Sequence, residues 1–269
     1  PLPYDALREG RLTPLAIYAL LPWLAKRMAV SQGVSPYGSI AGEPGPGIKE
    51  RTLLTDGLLT GLLLALGIAL DPVFLVPVLT IFLGLVVGSL LSGKIIGVNR
   101  LLKSFCLSMG VASLLHFPLL IDLLTGRSAS SLIGFEAWRK GTLGPSGIFN
   151  LNTGSFTHSS FTWMLLIVAA FALLVGTEKH LFLGIRSWLI MIFGFFAIWL
   201  VDQGWWPGRT PEEETLFVPV AVGLAWASAI ATAGMGSDLT DPTPKKLYLR
   251  RVSIGIAALS LGISSLPVL

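Results

Sequence analysis

The sequence predicts an all-α fold: a polytopic bundle of about seven transmembrane helices, preceded by an N-terminal interfacial helix. Three observations carry that prediction. Hydrophobic residues make up 53% of the chain and charged ones only 13%, with a mean hydropathy of +0.75, whereas soluble domains carry about 25% charge. No charged side chain occurs in 58–70 or in 72–91, and about 20 uncharged residues is the length that crosses roughly 30 Å of hydrocarbon as a helix. The basic residues also sort into alternate loops, as set out below.

Composition excludes several classes. A soluble core absorbs one or two uncharged runs of this length, not six or seven. The net charge of +4 fits cytoplasmic loops better than a nucleic-acid surface, because the cations are not interleaved with exposed stacking rings. The expected partner is therefore the lipid bilayer, with no nucleic acid. The single cysteine, Cys106, excludes a disulfide framework and a thiolate metal site. Lying in an apolar run, it reads as a small buried hydrophobe. The chain opens at Pro1 without a signal-peptide pattern and stops inside an apolar run, so a longer parent chain is expected.

The elements follow in order. Residues 12–24 are apolar but interrupted by Pro14 and Pro22, and Lys26 and Arg27 follow. That stretch is short for a span, and Tyr18 and Trp23 suit headgroup level, so an interfacial helix is expected, with the end of a spanning or re-entrant segment as the alternative. Residues 31–51 hold five glycines and three prolines. The spacing fits neither a phosphate-binding loop nor a dinucleotide fingerprint, so the stretch is a linker. The expected division is 1–51 as a cytoplasmic interfacial helix with its linker, and 52–269 as the transmembrane helical domain.

A transmembrane hairpin follows, 53–70 and 72–92, with Asp71 and Pro72 at the turn because Pro can open a helix. Gly57 and Gly61, and Gly84 and Gly88, are spaced four apart, which lets helix backbones approach closely in lipid. They serve packing within the chain or contact between copies in a homo-oligomer. Asp56 lies near enough to the interface to be hydrated.

The third span is 101–124 and contains His116, Pro118 and Asp122. Ionisable residues inside spans are candidate functional groups. Pro118 is expected to kink the helix and open a polar pocket beside His116. A histidine satisfied by a neighbouring helix is the bland alternative, and Asp122 falls towards the far interface.

Residues 126–160 form the longest loop. Glu136, Trp138, Arg139 and Lys140 place an acid, a ring and two cations within five positions. With Arg127, they are the groups that bind a sugar phosphate: cations on phosphate, the ring on a sugar face, the carboxylate on hydroxyls or as a base. An interfacial helix with snorkelling cations explains the same residues. The fourth span is 161–176, followed by a turn at 177–183. The fifth, 183–201, ends at Asp202, a further candidate substrate contact, beside Trp199, Trp205 and Trp206, which resemble an aromatic belt. Adjacent Glu212, Glu213 and Glu214 do not converge on one point along a helix, so a solvated, helix-opening acidic turn is expected rather than a metal site. The sixth span is 216–235 and the seventh 252–269.

With seven spans, one side holds Arg8, Arg11, Lys26, Arg27, Lys49, Arg51, Lys94, Arg100, Lys103, Lys179, Arg186, Lys245, Lys246, Arg250 and Arg251, fifteen of the nineteen cations. The other holds Arg127, Arg139, Lys140 and Arg209. The positive-inside rule makes the first side cytoplasmic, the N-terminal region included, and turns the long loop and the Trp/Glu loop outward.

Several short patches resemble the membrane region of large actinobacterial family 2 glycosyltransferases. They are Arg51-x-Leu53, Gly84-x-x-x-Gly88-Ser-Leu-Leu-x-Gly93, Leu115-His-Phe-Pro118, Asp122-Leu-Leu, Arg186-x-Trp188, Trp199 with Gly204-Trp205, Pro219-x-Ala-x-Gly223-Leu-Ala and Asp238-Leu. The resemblance extends from about residue 5 to residue 241. It implies a bacterial plasma-membrane protein whose nucleotide-sugar domain, with its divalent metal, lies upstream. The Asp-x-Asp signature of that domain does not occur here, so no cofactor is expected in this chain. The implied role is to anchor the catalytic domain and to hold or pass a polyprenyl-phosphate-linked sugar or glycan. Two other classes account for the same composition: a transporter or lipid-handling permease, although no internal repeat is visible, and an inert anchor or oligomerisation module.

Overall fold

The computed structural model describes residues 7, 10–32, 53–93, 95, 97–118, 121, 147–148, 164–174, 178–205 and 213–237. All regular structure among them is helical: α1 (Leu12–Ser31), α2 (Leu53–Leu70), α3 (Leu75–Leu91), α4 (Val98–Leu115), α5 (Met164–Leu174), α6 (Glu178–Asp202) and α7 (Glu213–Ser237). Five segments are long and apolar enough to cross a membrane: Leu53–Leu70, Pro72–Leu91, Val98–Leu115, Leu181–Asp202 and Glu214–Ala231. They match the predicted spans one, two, three, five and six. Of span four, the eleven residues of α5 are described; span seven lies outside the described residues.

The hairpin forms for the expected local reason. Asp71 has extended backbone geometry and its Oδ1 accepts a hydrogen bond from the Val73 N–H at 2.9 Å. This caps a 3₁₀ turn, Pro72–Phe74, whose first residue has no N–H to satisfy. Phe74 is fully buried and lies over Gly67. Beyond the turn the two arms part, and α1 packs against both.

Two apolar clusters organise the bundle. One joins α1, α2, α3 and α4 through Ile17, Leu21, Leu24, Leu64, Ile81, Leu85 and Leu101. The other joins α5, α6 and α7 through Ala169, Met191, Ile198, Phe217 and Val220. Helix α6 packs on α3, α5 and α7, while α2 packs on α4. Phe82 and Phe105 stack with ring centroids 4.0 Å apart, linking α3 to α4.

Glycines set the close approaches. A Cβ on Gly61 would lie 2.8 Å from Val111 Cβ, and Gly57 meets Leu107 on the same helix, α4. A Cβ on Gly84 would lie 2.5 Å from Ile190 Cγ1, and one on Gly88 2.7 Å from Arg186 Cγ, both on α6. Of the two expected uses of these small-residue faces, packing within the chain is the one seen, since both are occupied by helices of the same chain. Close packing needs a backbone on each side of the gap, and the nearest one is intramolecular.

Contacts across the bundle fix the helix directions. Gly88 meets Arg186 and Gly84 meets Ile190, while Gly194 meets Val220 and Gly223 meets Met191, so α6 runs antiparallel to α3 and to α7. Arg11 pairs with Glu214 at the start of α7. At the opposite end, the Gln32 side chain bonds Ser89 and its carbonyl faces Gly97. Gly97 has φ +87 there, and a side chain would strike that carbonyl.

Helix α1 therefore runs the length of the bundle, with its two ends at opposite faces, and this corrects the expected interfacial helix. Its twenty residues rise about 30 Å. Its stripe of Ile17, Leu21, Leu24 and Met28 is buried against other helices rather than laid on a membrane surface. The prolines do not prevent this. Pro14 sits in the first turn, where no N–H bond is required, and Pro22 costs one bond on an exposed face. The placement of the whole N-terminal region on one side fails with it: Arg11 lies at one end, Lys26 and Arg27 towards the other.

Three smaller expectations are also corrected. Residues 178–183 of the expected turn are helical, α6 starting at Glu178, since an acid suits a helix N-terminus and the apolar pattern continues from Leu181. Cys106 is exposed on the outer face of α4 rather than buried. Asp56 is not hydrated: it is 3% exposed, and its Oδ2 is 3.3 Å from Arg100 Nη2.

Candidate functional site

Polar groups gather at the two ends of the bundle, and the ends differ in sign. Among the described residues, Lys26, Arg27, Arg100, Lys103 and Arg186 lie towards one end, here the basic end. Asp71, Asp202 and Glu214 lie at the other, the acidic end, with Arg11 as the cation there.

At the acidic end the charges are engaged. Glu214 is 1% exposed and its Oε1 accepts from Arg11 Nη2 at 2.9 Å. At Glu214 this corrects the solvated acidic turn expected there, because α1 covers the start of α7 and brings a cation to the carboxylate, while the acids do open a helix, α7 starting at Glu213. Tyr18 Oη and Thr215 Oγ1 are buried in the same α1–α7 layer without a hydrogen-bond partner. Asp202, a predicted substrate contact, is 3% exposed and engaged rather than free. Phe196, Trp199 and Trp205 form a ring ladder beside it, with centroid spacings of 5.8 and 5.6 Å. Trp205 is largely exposed, as an aromatic belt at an apolar–aqueous boundary requires. Asp71 lies at this end outside the spanning segments, and burial pushes its carboxyl above the usual range, against the opposing hydrogen bond from Val73.

His116 follows the bland alternative. Helix α4 ends at Leu115 with His116 as its C-cap, and the helical state resumes at Phe117 and Pro118, so the chain breaks at His116 and the proline sits in a first turn, where its missing N–H costs nothing. The His116 ring Nε2 lies 2.9 Å from the Ala65 carbonyl oxygen on α2. That contact is a helix-to-helix hydrogen bond between the end of α4 and α2.

Asp122, Arg127, Glu136, Trp138, Arg139 and Lys140 lie outside the described residues. The helix ends that flank them, the C-terminus of α4 and the N-terminus of α5, are both at the acidic end. So are the ends that flank 206–212. The two predicted substrate-facing loops therefore leave and re-enter the bundle on the same face.

The basic end holds the group that sequence reasoning misplaced. From the sequence Arg186 stands at the start of the fifth span and counts with the cations of the cytoplasmic side; in the bundle it lies inside the segment Leu181–Asp202 and is 4% exposed. Its stem crosses Gly88, its Nε is buried without a hydrogen-bond partner, and no ion pair reaches it among the described residues. One residue along α3, Ser89 holds Gln32, whose Oε1 is also buried and unpaired. Arg27 Nη1, on α1 at the same end, is a third such atom. A usable signal was present: no acid lies within four residues of Arg186 on either side, so its own helix offers no partner. This arrangement can accept an anion. Among the described residues no set of three His, Cys, Asp or Glu side chains converges as metal ligands do. Comparison with protein-family models, with curated proteins and with solved structures finds no match for this chain.

Proposed function

We propose that this bundle is the membrane part of a bacterial cell-envelope glycosyltransferase, which anchors an upstream nucleotide-sugar domain and holds or passes a lipid-linked sugar. The observation that carries this reading is a convergence. Gly84-x-x-x-Gly88, Arg186-x-Trp188 and Pro219-x-Ala-x-Gly223, patches of the glycosyltransferase resemblance that are far apart in sequence, meet at one junction. Gly84 lies on Ile190, Gly88 on Arg186, and Gly223 on Ser187 and Met191. Shared small residues at a shared junction are what a common helix arrangement requires.

In this reading the basic end faces the cytoplasm, and 126–160 and 206–212 face outward. Arg127, Arg139 and Lys140 contact phosphate there, Glu136 and Trp138 contact sugar, and Asp122 borders them. The test is the double substitution Arg139→Ala with Glu136→Ala in the parent enzyme. At least a tenfold loss of glycan product is expected, roughly the effect of removing one charge-assisted contact; unchanged output disposes of the site. Joining the upstream domain to an unrelated anchor tests the larger claim, since full activity from that fusion makes the bundle a mere tether.

A further inference from the structure

An arginine without a partner inside a helical membrane bundle is an expensive arrangement. Its guanidinium does not deprotonate in proteins, so the cost of burial is not relieved by losing the charge. Unpaired buried charge is among the least favourable states a side chain can occupy, in protein or in lipid. Arg186 is nevertheless 96% buried, reads as a fixed part of the α3–α6 contact through Gly88, and has no acid to answer it among the described residues.

The surroundings narrow the kind of partner. Arg186 is the sixth residue of the apolar segment Leu181–Asp202, about 7–8 Å from its start along the helix axis. That depth is within an arginine's reach of lipid headgroups. One acid at this end, Asp56, already faces Arg100. Arg27 and Gln32 add a second cation with Nη1 unmatched and an amide with Oε1 unmatched, its Nε2 donating to Ser89. The Gln32 amide can present either its oxygen or its nitrogen, because the two ends are interchangeable by rotation. The anion abundant at this depth of a bilayer is phosphate, and the planar guanidinium fork suits its oxygens in pairs. Basic pockets between membrane helices on the cytoplasmic side bind phosphate headgroups for the same reason.

We propose that Arg186 anchors a phosphate-binding site at the basic end of the bundle, with Arg27 and Gln32 at the same end, and that its ligand is the phosphate of a membrane lipid entering between the helices. The site does not depend on the glycosyltransferase reading: it rests on burial and missing partners, and it lies at the opposite end from the loops that reading uses.

The test uses the full chain purified in a maltoside detergent, which carries no phosphate. Polyprenyl phosphate, phosphatidylglycerol, a fatty acid and inorganic phosphate are titrated separately while the thermal midpoint is followed. Either phosphate lipid is expected to raise the wild-type midpoint by about 5 °C at a hundredfold excess over its dissociation constant, with the fatty acid much weaker. Arg186→Gln is expected to weaken that binding at least about tenfold, and Arg186→Lys to restore part of it, as a point charge without the fork would. A larger response to polyprenyl phosphate than to phosphatidylglycerol identifies a lipid carrier as the preferred source. A response to inorganic phosphate alone overturns the lipid assignment. Equal shifts in wild type and Arg186→Gln overturn the site, as does a wild type that none of the four compounds moves. Native mass spectrometry of the wild type covers the case in which Arg186→Gln does not fold: one retained phospholipid per chain is expected, and a bare chain under gentle conditions overturns the proposal.

Discussion

The bundle sets an arginine at each of its two ends and treats the two in opposite ways. Arg11 arrives on α1 and meets Glu214, a carboxylate that is 1% exposed. Arg186 arrives on α6, lies across a glycine and meets no described acid. Removing one member of a buried pair strands the other, so a paired charge is part of the architecture. A charge that the fold buries and does not answer is answered by something else. The comparison separates a structural contact from a functional candidate without any appeal to resemblance.

The largest expected effect breaks the paired end. Arg11→Leu leaves Glu214 buried and should cost about 2–4 kcal/mol, discounted because Arg11 is 31% exposed. Chemical unfolding in detergent measures it. Adding Glu214→Leu should recover much of that loss, since two apolar residues replace two charges; a double variant as unstable as the single would mean the pair is not the source.

Next comes Gly88→Ala, which presses a methyl group against the Arg186 stem and backbone. A loss of about 1–3 kcal/mol is expected. A double-mutant cycle with Arg186→Ala should show coupling, because the two sites touch. Additive losses would mean that the Arg186 stem does not lie over Gly88.

Arg186→Met should have the opposite sign from Arg11→Leu. Without lipid phosphate, an apolar side chain of similar length removes an unanswered charge and should raise stability by about 1 kcal/mol. A destabilised variant in phosphate-free detergent would show that the guanidinium has a partner inside the protein, which would erase the contrast between the ends.

The smallest effect concerns Asp71, at the acidic end. Its cap on Val73 is worth about 1 kcal/mol, lost in Asp71→Ala and kept in Asp71→Asn. Burial raises its pKa, so the folded state favours the protonated acid. Its contribution is therefore full below the ordinary aspartate value of 3.8 and is lost as pH rises through the higher folded value. Asp71→Asn should gain stability relative to wild type as pH climbs through that window. A difference that is flat with pH would show that the carboxyl is not buried there.

Much of the fold was legible along the chain. The uncharged runs 58–70 and 72–91 are long enough to need lipid or a thick core, and Asp71-Pro72 carries the cap and helix start that divide them. The candidate sites were harder to read. His116 satisfies Ala65 through a contact fifty-one positions away in sequence, which no local pattern encodes. Glu214 reads as solvated until α1 is laid over it. The α1 segment itself reads as short and interrupted by proline, because its apolar stripe gains meaning only from the helices that cover it.

Composition and local order alone determined that this chain is helical, that at least five segments suit a bilayer, and where the hairpin turns. These follow from properties of single segments: length, charge and capping. Tertiary structure alone decided which glycines face which helices, that α1 runs through the bundle rather than beside it, and which buried charges are answered. Those depend on partners brought together from distant positions, and burial converts the same arginine from a cation at the start of a span into an unpaired charge in a low-dielectric interior.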